Sequence, residues 1–373
     1  MKIAETCDVV VDAPNSWRRI DAESDDSWVQ RLTEEEVSGF DMALIHARDA
    51  NKPMLHMTPE DFPLPEASVA ALQRAMKATQ TGWGFCLIKG FPVDRWSEEE
   101  ARIAYWGMGL HMGVARPQNK ASEFLNDVRN AGGSYFGKDA RGYNTNASLD
   151  FHIDFGDVVS LLCRRTAKEG GRSLIASSRA IYDEVARAHS ALLPALHEPI
   201  YFSWQGAMGH NDMPYYACPI AGFKNGHFAF RFNRKNVMAA QRDFPDVPRL
   251  TDRQNALIDV LESLFRDPRF CYAMQLDEGD MQLLNNYTTI HSRTGFQDYD
   301  EPDRRRHLLR LWLGVPGAQP LPDAWREPYK STRGNSVRGG LRGQGITDEF
   351  LKFEARMASY HKMNNHYYEE TPR

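Results

Sequence analysis

The chain has 373 residues, of which 42% are hydrophobic and 25% are charged, and its formal net charge is −5. This balance is typical of a globular protein, and the slight acidity argues against a nucleic-acid partner. No apolar run reaches the roughly 20 residues that a membrane-spanning helix needs, and the N-terminus lacks the apolar core of a signal peptide. We therefore expect a cytoplasmic protein that has no membrane or nucleic-acid partner.

Residues 1–65 are predicted to form an N-terminal helical elaboration. Thr33 and Glu36 match a capping box at the start of a helix, and the later run HMTPEDFPLPEA indicates a connector. Beyond the connector, GFCLIKG predicts a short buried strand, and Ser97 with Glu100 predicts the start of another helix. We therefore expect the core domain to begin at residue 66.

From residue 150 onward, short apolar runs alternate with turns. Runs such as DVVSLLC, SLIAS and HLLRLWLGV predict strands, and a helix capped by Thr251 and Gln254 interrupts them. Many short strands in one half of a chain are typical of a barrel or a double-sheet jelly roll. We therefore predict a mainly β protein with helices, of the α+β class, whose core domain spans residues 66–322.

Residues 323–373 are predicted to form a C-terminal extension made of a loop and a helix. The loop, RGNSVRGGLRGQG, is rich in glycine and arginine, and the helix after it places Phe350, Phe353 and Met357 on one face. We expect this face to pack on the body of the protein or on a sister subunit, which leaves a homo-oligomer open.

The cysteines are too scattered for a thiolate metal site. They are Cys7, Cys86, Cys163, Cys218 and Cys271, and none forms the CxxC pair that structural zinc sites usually contain. An odd number at wide spacing is typical of packed thiols in a reducing compartment.

The run SLDFHIDF, residues 148–155, places a histidine and an aspartate two positions apart. Because the side chains of a strand alternate between its faces, His152 and Asp154 are expected to point the same way. His291, at the end of a later strand-like run, can provide a third ligand. Two histidines and one carboxylate form the facial triad of non-haem Fe(II) oxygenases, so the pattern predicts a metal site.

A second pair of the same type, His210 and Asp212, lies in the run QGAMGHNDMPYY. Gly209 before it and Pro214 after it predict a loop. This pair also lacks a later histidine of its own that is followed by an arginine-bearing strand. We therefore predict that the first pair binds the metal and leave the second as a candidate pocket wall.

An arginine cluster, DRRRHLLRLWL, follows His291 within about fifteen residues. The period of a strand places Arg306, Leu308, Arg310 and Trp312 on one face. Buried arginines need an anion to compensate their charge, and a guanidinium pairs bidentately with a carboxylate. The pattern therefore predicts a carboxylate-binding site beside the metal, unless both arginines are exposed at a sheet edge.

Two segments resemble the TauD/TfdA family of Fe(II)- and 2-oxoglutarate-dependent dioxygenases. They are FHIDFGDVVSLLCRRTAKEGGRSLIASS and GDMQLLNNYTTIHSRTGFQDYDEPDRRRHLLRLWL, and the similarity runs from about Gly82 to Pro320. The resemblance implies a double-stranded β-helix, which is a clavaminate-synthase-like jelly roll wrapped by helices. It also implies Fe(II) as cofactor and 2-oxoglutarate and O2 as cosubstrates.

The resemblance implies roles for individual residues as well. The metal ligands would be His152, Asp154 and His291. The far carboxylate of 2-oxoglutarate would contact Arg306 and the hydroxyl of Ser173, which follows the Gly-Gly turn of EGGRSL and could also be only a turn residue. Arg310 would serve either 2-oxoglutarate or an anionic substrate, and Arg304 and Arg305 are expected to be solvated.

The implied activity is the oxidation, chiefly the hydroxylation, of a small organic molecule, coupled to decarboxylation of 2-oxoglutarate to succinate and CO2. Desaturation, epoxidation and cyclisation remain open, as does the identity of the substrate. Gln118, Asn119, Asn286 and the loop 204–211 are candidate substrate contacts, although each is also expected as a structural hydrogen-bonding residue.

Two other functions fit parts of the pattern. A metal-dependent cupin-type oxygenase or isomerase would use the three metal ligands without 2-oxoglutarate, and it would not need Ser173 and Arg306. A non-catalytic jelly-roll protein that binds a small molecule would have no reason to keep three ligands and the arginine.

Overall fold

The computed structural model describes residues 15–133, 142–209, 212–343 and 346–365. No helix in these ranges is both long and apolar enough to cross a membrane. The helices are α1 (Arg19–Ser24), α2 (Glu34–Ala50), α3 (Glu66–Thr81), α4 (Glu98–Met112), α5 (Ser178–Ala188), α6 (Leu193–His197), α7 (Arg234–Asp243), α8 (Asp252–Arg266), α9 (Arg326–Tyr329) and α10 (Asp348–Tyr360). Short 3-10 helices cover Met54–His56, Pro59–Asp61, Gly142–Asn144, Ser190–Leu192, Pro302–Arg304 and Asp323–Trp325.

The strands are short, as predicted for the second half of the chain. They are β1 (Val29–Arg31), β2 (Phe85–Lys89), β3 (Val114–Arg116), β4 (Leu125–Val128), β5 (Val158–Arg165), β6 (Glu169–Gly170), β7 (Ser173–Ser177), β8 (Ile200–Ser203), β9 (Tyr215–Cys218), β10 (Ala221–Lys224), β11 (His227–Phe230), β12 (Tyr272–Met274), β13 (Met281–Asn285), β14 (Thr289–Arg293), β15 (Phe296–Gln297) and β16 (His307–Gly314).

The predicted helix starts are confirmed. Thr33, Ser97 and Thr251 are the N-cap residues of α2, α4 and α8. Each side chain accepts a hydrogen bond from the backbone N–H three residues later, and the side chain at that later position reaches back to the cap. Both bonds satisfy backbone donors that a helix N-terminus otherwise leaves unpaired.

The main sheet has the strand order β1-β2-β13-β5-β16-β3, and β4 also pairs with β16. Pairing is parallel between β1 and β2 and antiparallel elsewhere in this sheet. Because β1 lies in the segment predicted to be helical, the N-terminal residues contribute a sheet edge as well as helices. The division of the chain at residues 65 and 322 stays a prediction.

A second, smaller sheet has the order β12-β7-β14, and the pairs β6–β15, β8–β9 and β10–β11 add short antiparallel ladders. The side chains of β16, in the main sheet, alternate between two hydrophobic clusters. Leu309, Leu311 and Leu313 pack into the cluster formed with the helices, whereas Leu308 and Trp312 belong to the cluster on the opposite side. The predicted α+β class, with a central sheet and surrounding helices, is confirmed.

The C-terminal helix α10 packs on the body of the same chain. Phe350, Phe353 and Met357 are buried in the helix-side cluster, and the ring of Phe353 lies 5.4 Å from that of Trp106. Of the two expectations for this apolar face, packing on the body is the one observed.

The prediction of a strand at residues 148–155 is wrong in one respect. The segment is extended but pairs only through an isolated bridge residue, His152, which faces both Asn233 and His291. The segment nevertheless brings His152 and Asp154 together, and the apolar residues that alternate with them, Phe151, Ile153 and Phe155, are buried in the hydrophobic core.

Candidate active site

A cavity opens between the main sheet and the smaller sheet. Strand β16 contributes Leu308, Arg310 and Trp312 to its lining, and Arg306 precedes that strand on the same face. Strand β7 contributes Ser173 and strand β14 contributes His291. The face of β16 expected from the strand period is therefore the face that lines the cavity.

Three potential metal ligands meet at this cavity. Backbone hydrogen bonds run both ways between His152 and His291, with N···O distances of 2.9 and 3.1 Å. This bridge places the two imidazole rings side by side, with centroids 4.5 Å apart. Asp154 lies two residues along the same extended segment, and ligand atoms of the three residues all lie within 4.8 Å of one another. We call His152, Asp154 and His291 the cavity triad.

The distances within the cavity triad fit ligands that share an ion. His152 Nε2 lies 3.8 Å from Asp154 Oδ1, and His291 Nε2 lies 3.7 Å from Asp154 Oδ2. These separations are too long for hydrogen bonds, and ligand atoms bonded at about 2.1 Å to one metal lie within about 4 Å of each other. His291 Nδ1 is also buried, and none of the described residues forms a hydrogen bond with it. The donor set of two imidazoles and one carboxylate therefore fits a first-row metal such as Fe(II).

The protonation of the cavity triad suits metal binding. Burial lowers the pKa of His152 to about 4, so that its imidazole is neutral at neutral pH. Burial alone would raise the pKa of Asp154, but the charge of Arg310 and the contact with His291 hold it well below its usual value. His152 Nδ1 lies 2.8 Å from the carbonyl oxygen of Asp150, which fixes that nitrogen as the donor and leaves Nε2 as the ligand atom.

Strand β16 holds the carboxylate of Asp154 in place. Trp312 Nε1 donates to Asp154 Oδ2 at 2.8 Å, and Arg310 Nη1 donates to the same oxygen at 3.3 Å. Arg310 Nε donates to Gln118 Oε1 at 2.6 Å, and Gln118 Nε2 donates to two backbone carbonyls. The strand period predicts the cavity face for Trp312, but the sequence alone does not indicate that it donates to Asp154.

Arg306 is a buried cation without a carboxylate partner. The residue is 5% exposed, Nη1 has no hydrogen-bond partner among the described residues, and burial lowers the pKa of the guanidinium. Phe296 lies against it, with the guanidinium carbon 5.0 Å from the ring centroid. Gly171 makes room for it, because a Cβ there would lie 2.9 Å from Arg306 Nε. An anionic ligand in the cavity would satisfy this group.

Ser173 also lines the cavity, at the first position of β7. Its hydroxyl donates to Gln282 Oε1 at 3.0 Å, and Gln282 is fully buried in β13 of the main sheet. The serine is therefore held by a partner from the other sheet and is not only a turn residue. Its oxygen keeps acceptor capacity for a ligand in the cavity.

The remaining residues proposed from the sequence as substrate contacts or pocket walls separate into those that line the cavity and those that do not. Gln118 lines the cavity, as do Trp204 and Gln205 from the loop 204–211. Asn119 and Asn286 are absent from the described lining: Asn119 accepts from the backbone N–H groups of residues 121 and 123, and Asn286 Nδ2 donates to the backbone carbonyl oxygen of residue 156 at 3.1 Å. His210 lies outside the described residues, whereas Asp212 forms an ion pair with Lys330.

A second group, Glu98, Asp127 and His307, has two carboxylates and one imidazole and also brings its ligand atoms within 4.8 Å of one another. We call it the paired cluster. Arg164 Nη1 lies 2.8 Å from His307 Nδ1, and His307 Nε2 lies 2.7 Å from Asp127 Oδ1. Arg102 Nη1 donates to both oxygens of Asp127 at 2.9 Å. Because arginines and the imidazole already occupy these donor atoms, the cluster is an ion-pair network.

Comparisons with known proteins agree with this geometry. Residues 50–312 match the family model described as taurine catabolism dioxygenase TauD, TfdA family. The chain is 28% identical over 314 residues to FR-33289 synthase of Streptomyces rubellomurinus, which covers 82% of this chain and 91% of that protein.

Solved structures of two oxygenases have a similar fold. An asparagine oxygenase in complex with Fe(II), 3-hydroxyasparagine and succinate has a TM-score of 0.58 at 16% identity, covering 77% of this chain and 93% of its own. The non-haem iron oxygenase OrfP in complex with Fe and alpha-ketoglutaric acid has a TM-score of 0.59 at 15% identity, covering 77% and 94%.

Proposed function

The chain belongs to the TauD/TfdA family of dioxygenases, and from that premise we propose that its cavity triad holds the iron of an Fe(II)- and 2-oxoglutarate-dependent oxidation. One observation carries the proposal. A three-residue group of imidazole and carboxylate donors lines the same cavity as a buried arginine whose Nη1 has no hydrogen-bond partner in the described part of the chain. A metal and a dicarboxylate together satisfy both features.

Each residue then has a defined task. His152, Asp154 and His291 would hold the iron, while Arg306 and Ser173 would hold the far carboxylate of 2-oxoglutarate. When bound, the iron supplies the oxidation, in which O2 gives one oxygen atom to succinate, formed with CO2 from 2-oxoglutarate, and the other to the substrate.

The surrounding groups prepare the site without taking part in the oxidation. Trp312 and Arg310 fix the orientation of the Asp154 carboxylate through its Oδ2 atom, and Asp150 fixes that of His152. Leu161, Leu308, Ile153 and Phe155 give the cavity apolar walls, which limit the access of water. Preorganised ligands lose less free energy of ordering when the metal binds.

We further propose that the substrate is a small molecule with an anionic group. Basic side chains outnumber acidic ones in the described lining: Arg231, Lys235, Arg293, Arg306 and Arg310 stand against Asp150 and Asp154. Arg310 uses Nε and Nη1 for Gln118 and Asp154, and no partner of Nη2 is found among the described residues. That nitrogen remains for an anion of the substrate or of 2-oxoglutarate. Hydroxyasparagine, bound to the similar asparagine oxygenase, carries such a carboxylate.

The test of the cofactor assignment is spectroscopic. Fe(II) and 2-oxoglutarate are added to the protein without oxygen, and the visible charge-transfer band of the chelate is recorded. We expect the band to saturate at one equivalent of iron. Protein that binds iron but gives no band contradicts the use of 2-oxoglutarate and favours a cupin-type metal enzyme instead.

The test of the substrate class is a panel measured by succinate formation. Amino acids, other carboxylates, phosphonates and phosphate esters are compared with neutral analogues of the same size. We expect stimulation by anionic members only. Stimulation by neutral compounds alone contradicts the anionic class while leaving the oxygenase assignment intact.

A further inference from the structure

The glycine- and arginine-rich loop of the C-terminal extension crosses the active site. The N–H of Gly340 donates to the carbonyl oxygen of Phe155 at 2.7 Å, and the N–H of Leu341 donates to that of Pro117 at 2.7 Å. Phe155 directly follows Asp154, and Pro117 directly precedes the glutamine that holds Arg310. The side chain of Leu341 also lines the cavity. The loop therefore joins two of the segments that build the site.

Buried ion pairs fix this loop at both ends. Arg338 Nε donates to Asp157 Oδ1 at 2.8 Å, and both side chains are almost completely buried. Four residues later, Arg342 Nη2 pairs with both oxygens of Glu354 on α10, at 3.2 and 3.3 Å. Breaking a buried ion pair leaves an uncompensated charge, which is strongly unfavourable. The loop between the two arginines is thus held in one position.

The glycines between the arginines permit the close approach. Gly339 and Gly340 have φ angles of +69° and +84°, which residues with a Cβ rarely adopt. A Cβ on Gly339 would lie 2.9 Å from the carbonyl oxygen of Phe155, and one on Gly340 would lie 2.7 Å from Cδ of Pro117. Larger residues would push the loop away from the segments that it joins.

We propose that residues Arg338–Arg342, the sequence RGGLR, are a positioning element of the active site. This element lies beyond residues 50–312, the part of the chain that the family model matches. Its backbone fixes the segment that carries Asp154 relative to the segment that carries Gln118, the partner of Arg310. Leu341 completes the cavity wall. The proposal rests on the proposed function, because the metal is the ligand whose binding the element would favour.

The first test needs no substitution. If the RGGLR element positions the metal ligands, metal binding must in turn stabilise the element, because such coupling is reciprocal. Hydrogen exchange of the peptide spanning residues 336–343 is measured by mass spectrometry without oxygen, with and without Fe(II) and 2-oxoglutarate. We expect exchange of the Gly340 and Leu341 amides to slow on binding, while the hairpin at residues 221–230, outside the described cavity lining, serves as the unaffected reference.

The second test is a matched pair of glycine substitutions. Gly340→Ala combines a positive φ with a steric contact, whereas Gly226→Ala has a similar φ of +79° and nothing within 4 Å of the added Cβ. We expect Gly340→Ala to weaken Fe(II) affinity by about 10- to 100-fold, as changes around metal ligands do, and Gly226→Ala to leave it unchanged. Both variants are measured well below their melting temperatures, so a shared loss of stability does not imitate the effect.

The outcomes separate this proposal from the proposed function. Wild-type protein that fails to bind Fe(II) refutes the function of the cavity itself. Wild-type protein that binds Fe(II) without any change in exchange at residues 336–343 overturns only the RGGLR proposal. Equal Fe(II) affinity in Gly340→Ala and wild type overturns it as well, and the exchange measurement decides the question if Gly340→Ala does not fold.

Discussion

The cavity triad and the paired cluster both bring imidazole and carboxylate groups within 4.8 Å of one another, yet only one of them is suited to a metal. In the paired cluster, arginines from neighbouring strands and helices already compensate the carboxylates, and both nitrogens of His307 have protein partners. In the cavity triad, the ring nitrogens and the carboxylate approach to 3.7–3.8 Å without hydrogen-bonding each other. Residue type and proximity are therefore not sufficient, and the occupancy of each donor atom decides.

The same contrast extends to the nearby arginines. Arg102 and Arg164 of the paired cluster use their Nη1 atoms for carboxylate or imidazole partners. Arg306 of the cavity has a buried Nη1 without a partner among the described residues. In the paired cluster Arg164 Nε is also unpartnered in the described part of the chain, but the carboxylates and the imidazole all have protein partners. In the cavity, His291 Nδ1 lacks a described partner as well as Arg306 Nη1, which leaves an imidazole and a cationic group for an incoming ligand.

The largest expected effect is the loss of Fe(II) binding when the aspartate of the cavity triad is replaced by asparagine. The same replacement in the paired cluster is the control. Asp154→Asn should abolish tight Fe(II) binding, because the amide removes the negative ligand and disturbs the bonds from Trp312 and Arg310. Asp127→Asn should leave Fe(II) binding within about twofold of wild type and reduce stability instead, by about 1–3 kcal/mol. Anaerobic calorimetric titration and thermal unfolding measure the two quantities. Loss of iron binding in Asp127→Asn would mean that the wrong cluster has been chosen.

The next effect concerns the arginines. Arg306→Ala should raise the dissociation constant of 2-oxoglutarate by about 10- to 100-fold, the equivalent of a charge-assisted contact of about 1.5–3 kcal/mol. Arg304→Ala is the matched control, because Arg304 is exposed and stacks on Tyr299. The charge-transfer band gives both constants. An unchanged constant in Arg306→Ala would reject the role of this arginine.

Much of the cavity lining could be predicted from the sequence, because it depends on local periodicity. The alternation of strand residues placed Arg306, Arg310 and Trp312 on the cavity face, and the capping boxes fixed the starts of three helices. His152 and Asp154 share a side of the segment even though it is not a regular strand. Local rules of this kind hold because they depend on backbone geometry alone.

The hydrogen-bond partners of the polar side chains could not be predicted, because they depend on contacts between distant parts of the chain. Gln118 and Arg310 are 192 positions apart, and Gly340 contacts Phe155 across a similar distance. No local pattern marks Asn119 as a turn residue and Gln118 as a cavity residue, although the two are adjacent. Gln118 and Asn119 differ in the partners of their polar atoms, and these partners are a property of the folded chain.

A smaller effect is the acid sensitivity of the paired cluster. Although burial opposes it, the hydrogen bond from His307 and the charge of Arg102 lower the pKa of Asp127 from 3.8 to about 2. A pKa that is lower in the folded state stabilises the protein above the unfolded-state value, and this contribution disappears as the pH falls from about 4 to about 2. The free energy of unfolding of wild type should therefore fall by about 2 kcal/mol more than that of Asp127→Asn over this range. Parallel curves for the two proteins would contradict the assignment.

The smallest effect tests the outer support of the cavity triad. Gln118→Ala removes the acceptor for Arg310 Nε, although Arg310 Nη1 keeps its bond to Asp154. A single hydrogen bond contributes about 1 kcal/mol, so the affinity for 2-oxoglutarate or an anionic substrate should fall by about fivefold while Fe(II) affinity changes less. Asn119→Ala, at the adjacent position, should leave both affinities within about twofold, since its bonds are confined to a turn. If Asn119→Ala weakened binding as much as Gln118→Ala, the effect would come from the loop as a whole and not from the support of Arg310.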